Sequence, residues 1–197
     1  MKKLFLVIAL LLNSYWGICQ MGTRSSVKAG VSYVLFGSGD LVGINYYNEY
    51  NHSLNPYMTI APSLHVGYGI RDEGYARFTK ASISLDPNFF VSPMRFDRSK
   101  IRLGIGPSLR YTSSSLPSSY GYSLVGPLPD DPTEQATYAF NLNYMRPMSY
   151  WAVGYTVALE GELTLDRGWS TGIRASFQNY TSGETVANIG LNVGYRF

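Results

Sequence analysis

In the last segment of the chain, 185–197, apolar residues alternate strictly with small or polar residues from position 187 onward. A period of two predicts a β-strand with one apolar and one polar face. The polar face carries small or polar residues, and the apolar face ends on an aromatic residue at the carboxyl terminus. Such a strand suits a sheet with lipid on one side and a polar interior on the other.

The same alternation recurs in four earlier segments, which span 57–70, 100–112, 150–165 and 169–180. Segments 26–36 and 75–85 are also strand-like, so that with 185–197 the sequence predicts seven strands. Single-chain bacterial β-barrels have an even number of strands, so an eighth strand is expected. Segment 89–96, after a turn at 86–88, is the first candidate, although Pro93 weakens it. A strand within 113–149, around 136–144, is the alternative.

If segment 89–96 is the eighth strand, the short and the long connections lie at opposite ends of the barrel. This assignment places short polar turns at 71–74, 97–99 and 166–168 on one rim, together with both termini. The long segments 37–56 and 113–149 then share the other rim. Short periplasmic turns and long outer loops are the usual asymmetry of transmembrane barrels. The sequence therefore predicts an all-β protein, an eight-stranded antiparallel up-and-down transmembrane β-barrel.

Charged residues in the clearest strands fall on the polar face. A charge facing lipid near the midplane would cost roughly 2–4 kcal/mol. The interior of an eight-stranded barrel is just wide enough for side chains to fill it, and an unpaired buried charge is costly. We therefore expect an ion-paired network that plugs the lumen, with a narrow or gated ion path as the alternative. The predicted lumen residues are Arg102, Arg110, Glu160, Glu162, Arg174, Arg196 and His65.

The amino terminus has the pattern of an export signal. Lys2 and Lys3 precede an apolar run over 4–12, which is too short to span a bilayer as a helix. We expect a cleaved signal peptide over 1–19 and a single barrel domain over 20–197. Ile18 before Cys19 disfavours lipid attachment, and cleavage after Cys19 would leave no cysteine for disulfide or thiol chemistry.

Charge and candidate chemistry exclude several classes of function. Without Lys2 and Lys3 the chain has 14 basic and 13 acidic residues, a net charge of +1, which does not favour nucleic acid as a partner. No sequence pattern indicates a phosphate-binding loop or a cofactor. The group His52, Glu49 and Asp40 and the acidic cluster Asp130, Asp131 and Glu134 lack the spacing of a dedicated metal site.

A Ser/His/Glu combination is the one arrangement with catalytic residue types. Ser63 and His65 share a strand face, and Glu160 and Glu162 lie on the same face of another strand. A hydrolase needs a hydrogen-bond relay from serine through histidine to a carboxylate. Residues two apart on one strand are separated by about 7 Å, which is awkward for direct contact. We expect a polar interior and no enzyme.

The two long segments have a composition suited to surface contacts. Segment 37–56 is rich in Tyr and Asn, and 113–149 is rich in Ser, Tyr, Gly and Pro. Such residues make adaptable contacts in other recognition loops. If the protein binds an extracellular ligand, these two segments are where we expect the contact.

The C-terminal strand resembles the signal by which bacterial outer-membrane β-barrels are recognised for insertion by the barrel-assembly machinery. Leu191, Val193, Tyr195 and Phe197 carry this resemblance. The chain after the signal resembles the small OmpA-like and OmpW-like barrels of Gram-negative bacteria, most closely over 154–197. The resemblance implies a monomer in outer-membrane lipid with a structural or surface-interaction role. A porin-like narrow pore or carrier for small or apolar solutes is the alternative, and a lipid-modifying enzyme is the second alternative.

Overall fold

The chain forms ten β-strands in a computed structural model that describes residues 25–37, 41–73, 76–115, 117–124, 138–144 and 146–197. The predicted signal peptide lies outside the described residues. None of the described residues belongs to a helix long and apolar enough to cross a membrane. The strands are β1 Ser25–Phe36, β2 Leu41–Ser53, β3 Met58–Asp72, β4 Arg77–Arg95, β5 Ser99–Ser115, β6 Pro117–Leu124, β7 Tyr138–Tyr144, β8 Met148–Thr164, β9 Trp169–Tyr180 and β10 Thr185–Arg196.

Eight of these strands close into an antiparallel barrel in the order β1-β10-β9-β8-β5-β4-β3-β2. The first and last strands pair with each other, with Ser32 opposite Gly190. Strands β6 and β7 form a separate two-stranded sheet. The predicted fold class, an eight-stranded antiparallel barrel, is confirmed.

The predicted position of the eighth strand is wrong, because that strand is β2 and lies within the segment 37–56 that we expected to be a loop. Its inward side chains include the large polar residues Tyr47 and Glu49, while Tyr46 and Asn48 point outward. Polar and aromatic residues therefore occur on both faces, and the sequence shows no apolar alternation.

The predicted turn at 86–88 is also wrong, because 75–85 and 89–96 belong to the single strand β4. Asp-Pro-Asn is a composition typical of turns. Here Asp86 and Asn88 point into the lumen, while Pro87 faces outward opposite Pro62 of β3. The register with β5 is interrupted between Val91 and Met94, which accommodates Pro93 because proline is tolerated at such irregularities.

The connections between strands differ between the two ends of the barrel. The termini rim, where β1 begins and β10 ends, has short connections at 54–57, 96–98 and 165–168. The loop rim, at the opposite end, has the connections 37–40, 73–76, 116–147 and 181–184. The predicted turn at 71–74 is therefore on the loop rim, because β2 reverses the direction of the chain once more than expected.

The segment 113–149 forms an extension of the barrel wall in its described part. β5 pairs with β8 as far as Ser114 opposite Met148, and β6 then pairs with β7 from Pro117 opposite Tyr144. The 8 residues of β6 rise roughly 25 Å along the strand axis. The hairpin formed by β6 and β7 thus continues the β5–β8 pairing beyond the loop rim.

The outer surface of the barrel is apolar around its circumference. Large hydrophobic side chains on all eight barrel strands are exposed, as Ile105 and Ile173 are at 60%. Aromatic pairs lie near the strand ends, with ring centroids 5.1 Å apart for Tyr111 and Trp151 and 5.3 Å apart for Trp169 and Tyr195. An apolar belt with aromatic residues at its edges is the surface that a bilayer requires.

Candidate functional site

Six charged side chains fill the lumen towards the termini rim, and we call them the lumen network. All are buried, with at most 3% of their surface exposed. They come from β1, β2, β5, β8 and β9, and three are cationic and three anionic. The members are Lys28, Glu49, Arg102, Glu160, Glu162 and Arg174.

Arg102 lies at the centre of the lumen network. Its Nη2 donates to Glu49 Oε1 at 3.1 Å and to Glu160 Oε2 at 2.8 Å, and its Nη1 donates to Asn51 Oδ1 at 2.7 Å. Lys28 contacts both Glu160 and Glu162. Arg174 pairs with Glu49. Each carboxylate therefore meets at least one cation across the barrel, and the six charges balance.

Aromatic rings cover the guanidinium groups of the lumen network. Arg102 Cζ lies 4.3 Å from the ring centroid of Phe90, and Arg174 Cζ lies 5.0 Å from that of Tyr47. Cation–π contacts of this kind become stronger where water is absent. The rings and ion pairs therefore pack against each other at this level of the lumen.

Two cations extend the network to the termini rim. Lys100 Nζ lies 3.0 Å and Arg196 Nη2 3.5 Å from Glu162 Oε1. The side chain of Arg196 is 30% exposed, so it caps the network from the solvent side.

The structure brings together five of the seven predicted lumen residues, namely Arg102, Glu160, Glu162, Arg174 and Arg196. His65 and Arg110 are also buried in the lumen but lie outside this network. Sequence reasoning missed Lys28 and Glu49. Lys28 lies on the same face of the predicted strand 26–36 as Ser32, so the sequence could have identified it as a lumen residue. Glu49 lies in the segment that we expected to be a loop.

His65 belongs to a second polar cluster further along the lumen. Its Nε2 lies 3.1 Å from Ser63 Oγ and 3.3 Å from Asp86 Oδ2, and Asn45 Nδ2 lies 3.2 Å from its Nδ1. Gln178 Nε2 donates to Asp86 Oδ2 at 2.6 Å. The expected separation of Ser63 and His65 is therefore wrong, because their side chains lean together.

This cluster does not have the geometry of a catalytic relay. A relay needs serine on one ring nitrogen of the histidine and the carboxylate on the other. Ser63 and Asp86 both approach Nε2, and an amide occupies the Nδ1 side. Glu160 is held by Lys28 and Arg102, and Glu162 by Lys28.

Apolar and aromatic side chains line the lumen towards the loop rim. Val34, Phe36, Ala152, Tyr180 and Val186 form a buried cluster there. Arg110 lies beside it, with its Cζ 5.0 Å from the ring centroid of Phe36 and 5.2 Å from that of Tyr180.

Glu184, in the 181–184 connection, is the carboxylate nearest to Arg110 in the described chain, with Oε2 4.0 Å from Nη1. Glu184 also accepts from Lys80. Burial by itself would raise the pKa of Glu184, but the hydrogen bonds from Lys80 and Tyr150 outweigh it and hold the pKa below its ordinary value. Lys80 and Arg110 thus both approach the carboxylate of Glu184.

Candidate metal ligands do not gather in the described ranges. No three His, Cys, Asp or Glu side chains there are placed to hold a metal ion. The expected group of His52, Glu49 and Asp40 is not a loop cluster, because Glu49 is in the lumen and His52 is near the termini rim, with Nδ1 3.5 Å from Ser25 Oγ. The acidic cluster at 130–134 and Asp40 lie outside the described residues.

The predicted insertion signal occupies the outer face of the closing strand. Leu191, Val193, Tyr195 and Phe197 are all exposed on this face. Strand β10 pairs with β9 on one side and with β1 on the other. The signal residues are therefore part of the apolar belt in the finished barrel.

The sequence matches no protein-family model, and no curated protein matches it. Three solved structures have the same fold. Ail, the attachment invasion locus protein of Yersinia pestis, aligns with a TM-score of 0.54 at 12% identity, covering 90% of this chain and 100% of that one. Neisserial surface protein A aligns with a TM-score of 0.58 at 12% identity, covering 90% and 98%. A major outer membrane protein from Thermus thermophilus aligns with a TM-score of 0.59 at 14% identity, covering 90% and 100%.

The low identities confine this likeness to the fold. The closed order of eight strands, the apolar outer belt and the charged lumen are nevertheless features of the chain itself. The chain has the architecture of the small outer-membrane β-barrels, with paired charges in the part of the lumen towards the termini rim.

Proposed function

We propose that this protein resides in the outer membrane as a closed barrel and acts through the surface of its loop rim. The lumen network is the observation that carries the proposal. Six buried charges from five strands meet in one cross-section, where ions and solutes would have to pass. Breaking a buried ion pair leaves an uncompensated charge, which is strongly unfavourable. A lumen closed in this way leaves the outer surface and the rims for contacts with other molecules.

The loop rim is the face that we propose for recognition. The β6–β7 hairpin extends the wall there, and the strands joined by the connections 37–40, 73–76 and 181–184 end at the same rim. The expected contact segment 37–56 reduces to a short connection, because 41–53 is a strand of the wall. The name of Ail as an attachment invasion protein supports a surface role for this fold.

The route to the membrane is part of the same proposal. The signal peptide at 1–19 would direct export, and the assembly machinery would recognise the C-terminal strand through Tyr195 and Phe197. We propose a monomer, because each barrel strand pairs with two neighbours of the same chain and the lumen network is balanced within it.

We further propose that the barrel is not an enzyme. The support is the geometry around His65, where serine and carboxylate share one ring nitrogen. Ser63 also donates to the backbone carbonyl of Asp86 at 3.1 Å and is buried. Hydrolysis of a short-chain ester by the refolded protein, lost in Ser63→Ala, would contradict this.

Liposome swelling in isotonic arabinose tests the closed lumen. Liposomes that hold the wild-type barrel should swell no faster than empty ones. A double variant, Glu49→Ser with Arg102→Ser, removes one charge of each sign and two large side chains from the centre of the network, so its liposomes should swell. Swelling by the wild type at the rate of the double variant would favour the alternative of a narrow pore.

A further inference from the structure

A cavity of about 460 Å³ opens inside the loop rim. Five apolar or aromatic residues form its walls, namely Phe36, Leu41, Phe78, Met148 and Tyr150. Lys80 and Glu184 also line it. Its volume falls within the range of small-molecule sites, which combine mostly apolar walls with a few polar groups.

Arg110 lies next to this cavity, behind its wall, and is not itself one of the lining residues. Three of the residues around its guanidinium group, Phe36, Tyr150 and Glu184, are also lining residues of the cavity. Arg110 is 2% exposed, yet neither Nη1 nor Nη2 has a hydrogen-bond acceptor among the described residues. A buried charged donor without an acceptor carries a substantial desolvation cost.

Two cations at this end of the lumen depend on the same carboxylate. Lys80 already donates to Glu184, and Glu184 Oε2 is 4.0 Å from Arg110 Nη1, too far for a hydrogen bond. Among the described residues, no other carboxylate lies within 4.0 Å of either cation. A second carboxylate at Arg110 would supply the missing hydrogen-bond acceptor.

We propose that this cavity binds an organic carboxylate with an apolar body, and that Arg110 receives its carboxylate group. The two free Nη atoms of a guanidinium form a planar fork that matches the two oxygens of a carboxylate. The aromatic and aliphatic walls then cover the rest of the ligand. This deepens the proposed recognition at the loop rim by giving it a ligand class.

Binding of phenylbutyrate by the mature protein in phosphatidylcholine nanodiscs tests the site. Its amide, phenylbutyramide, has the same apolar body without the charge, and empty nanodiscs give the background. Wild type should bind the carboxylate at least about tenfold more tightly than the amide, the order of effect that hydrogen bonds to a charged group provide. Calorimetry measures both affinities.

Two variants separate the role of Arg110 from that of the cavity. Arg110→Met keeps a long side chain and should bind both compounds equally. Ser114→Trp narrows the cavity from its lining without changing Arg110, and should weaken both compounds. As a control, Arg98→Met makes the same charge change at the exposed termini rim and should leave the tenfold preference intact. Circular dichroism checks that each variant is folded.

Several outcomes would overturn the proposal. They are equal binding of carboxylate and amide by wild type, absence of binding by both, or a preference that persists in Arg110→Met. If Arg110→Met does not fold, unaltered carboxylate binding by Ser114→Trp would overturn it instead. None of these outcomes changes the liposome swelling that tests the closed lumen. A failed binding test therefore does not contradict the closed lumen, and swelling by the wild type does not contradict ligand binding.

Discussion

Neutralising one carboxylate at the centre of the lumen should destabilise the barrel severely. Glu49 is 1% exposed and pairs with both Arg102 and Arg174, while Asn51 Nδ2 donates to its Oε1 at 2.9 Å. Glu49→Gln keeps the volume and one acceptor oxygen but leaves the buried network with one excess positive charge. Removing one partner of a buried ion pair typically costs about 3–5 kcal/mol. We expect about 3 kcal/mol, the lower end, because the amide retains part of the hydrogen bonding.

The free energy of unfolding in lipid vesicles, from urea titrations followed by tryptophan fluorescence, measures this cost. Glu73→Gln is the matched control, because its partner Arg71 is 47% exposed on its side chain and the pair lies 2.6 Å apart at the loop rim. Exposed pairs contribute about 0–1 kcal/mol, so the control should change the free energy little. Equal costs for the two substitutions would refute the view that paired buried charges hold the lumen together.

A double variant tests the charge balance itself. Arg174→Met combined with Glu49→Gln removes one charge of each sign and leaves Lys28, Arg102, Glu160 and Glu162 in balance. Adding Arg174→Met should therefore recover part of the stability lost in Glu49→Gln. Residues in one network couple by about 0.5–3 kcal/mol in such cycles. Strictly additive costs would show that the two side chains do not act as a pair.

Three further predictions concern the loop rim and the closing strand. The pKa of Glu184 is below its ordinary 4.5 in the folded protein, so its stabilising contribution is present above that value and is lost as the pH falls through the lower folded pKa. Acid titration should therefore destabilise wild type more than Glu184→Gln, and equal losses would contradict this. Replacing 117–144 by a short Gly-Ser turn should leave barrel folding unchanged by circular dichroism, whereas loss of the fold would show the hairpin to be structural. Phe197→Ala should reduce the amount of barrel in the outer membrane of cells but not spontaneous refolding into vesicles; equal losses in both would remove the proposed role of Phe197 in recognition by the assembly machinery.

The strands that follow simple alternation were predictable from the sequence, and those that depart from it were not. β9 and β10 begin at the predicted residues because their outward side chains are mostly apolar and their inward ones small or polar, apart from Tyr180 and Val186 near the loop rim. β2 escaped prediction because the lumen places Tyr47 and Glu49 inward while Tyr46 and Asn48 face outward. Side chains fill the interior of a small barrel, and large polar ones such as Tyr47 and Glu49 are among them, so polarity alone does not distinguish strand from loop there.

The sequence predicted which charged residues of the candidate site face the lumen, but not which of them pair with each other. Arg102, Glu160 and Arg174 share the inward face in the sequence, and the structure places all three in the network. Their partners depend on the stagger of strands around the barrel, which brings Lys28 of β1 to Glu160 of β8 although the two strands are not neighbours. No local pattern in the sequence predicts that the side chains of Lys28 and Glu160 come into contact.

The single-channel conductance of the mature protein in planar bilayers tests most directly whether the lumen is closed. We expect wild type to give no discrete openings, and the double variant Glu49→Ser with Arg102→Ser to give openings under the same conditions. Discrete openings of the wild type that change in Glu160→Gln would contradict the closed lumen and identify the charged network as a gate.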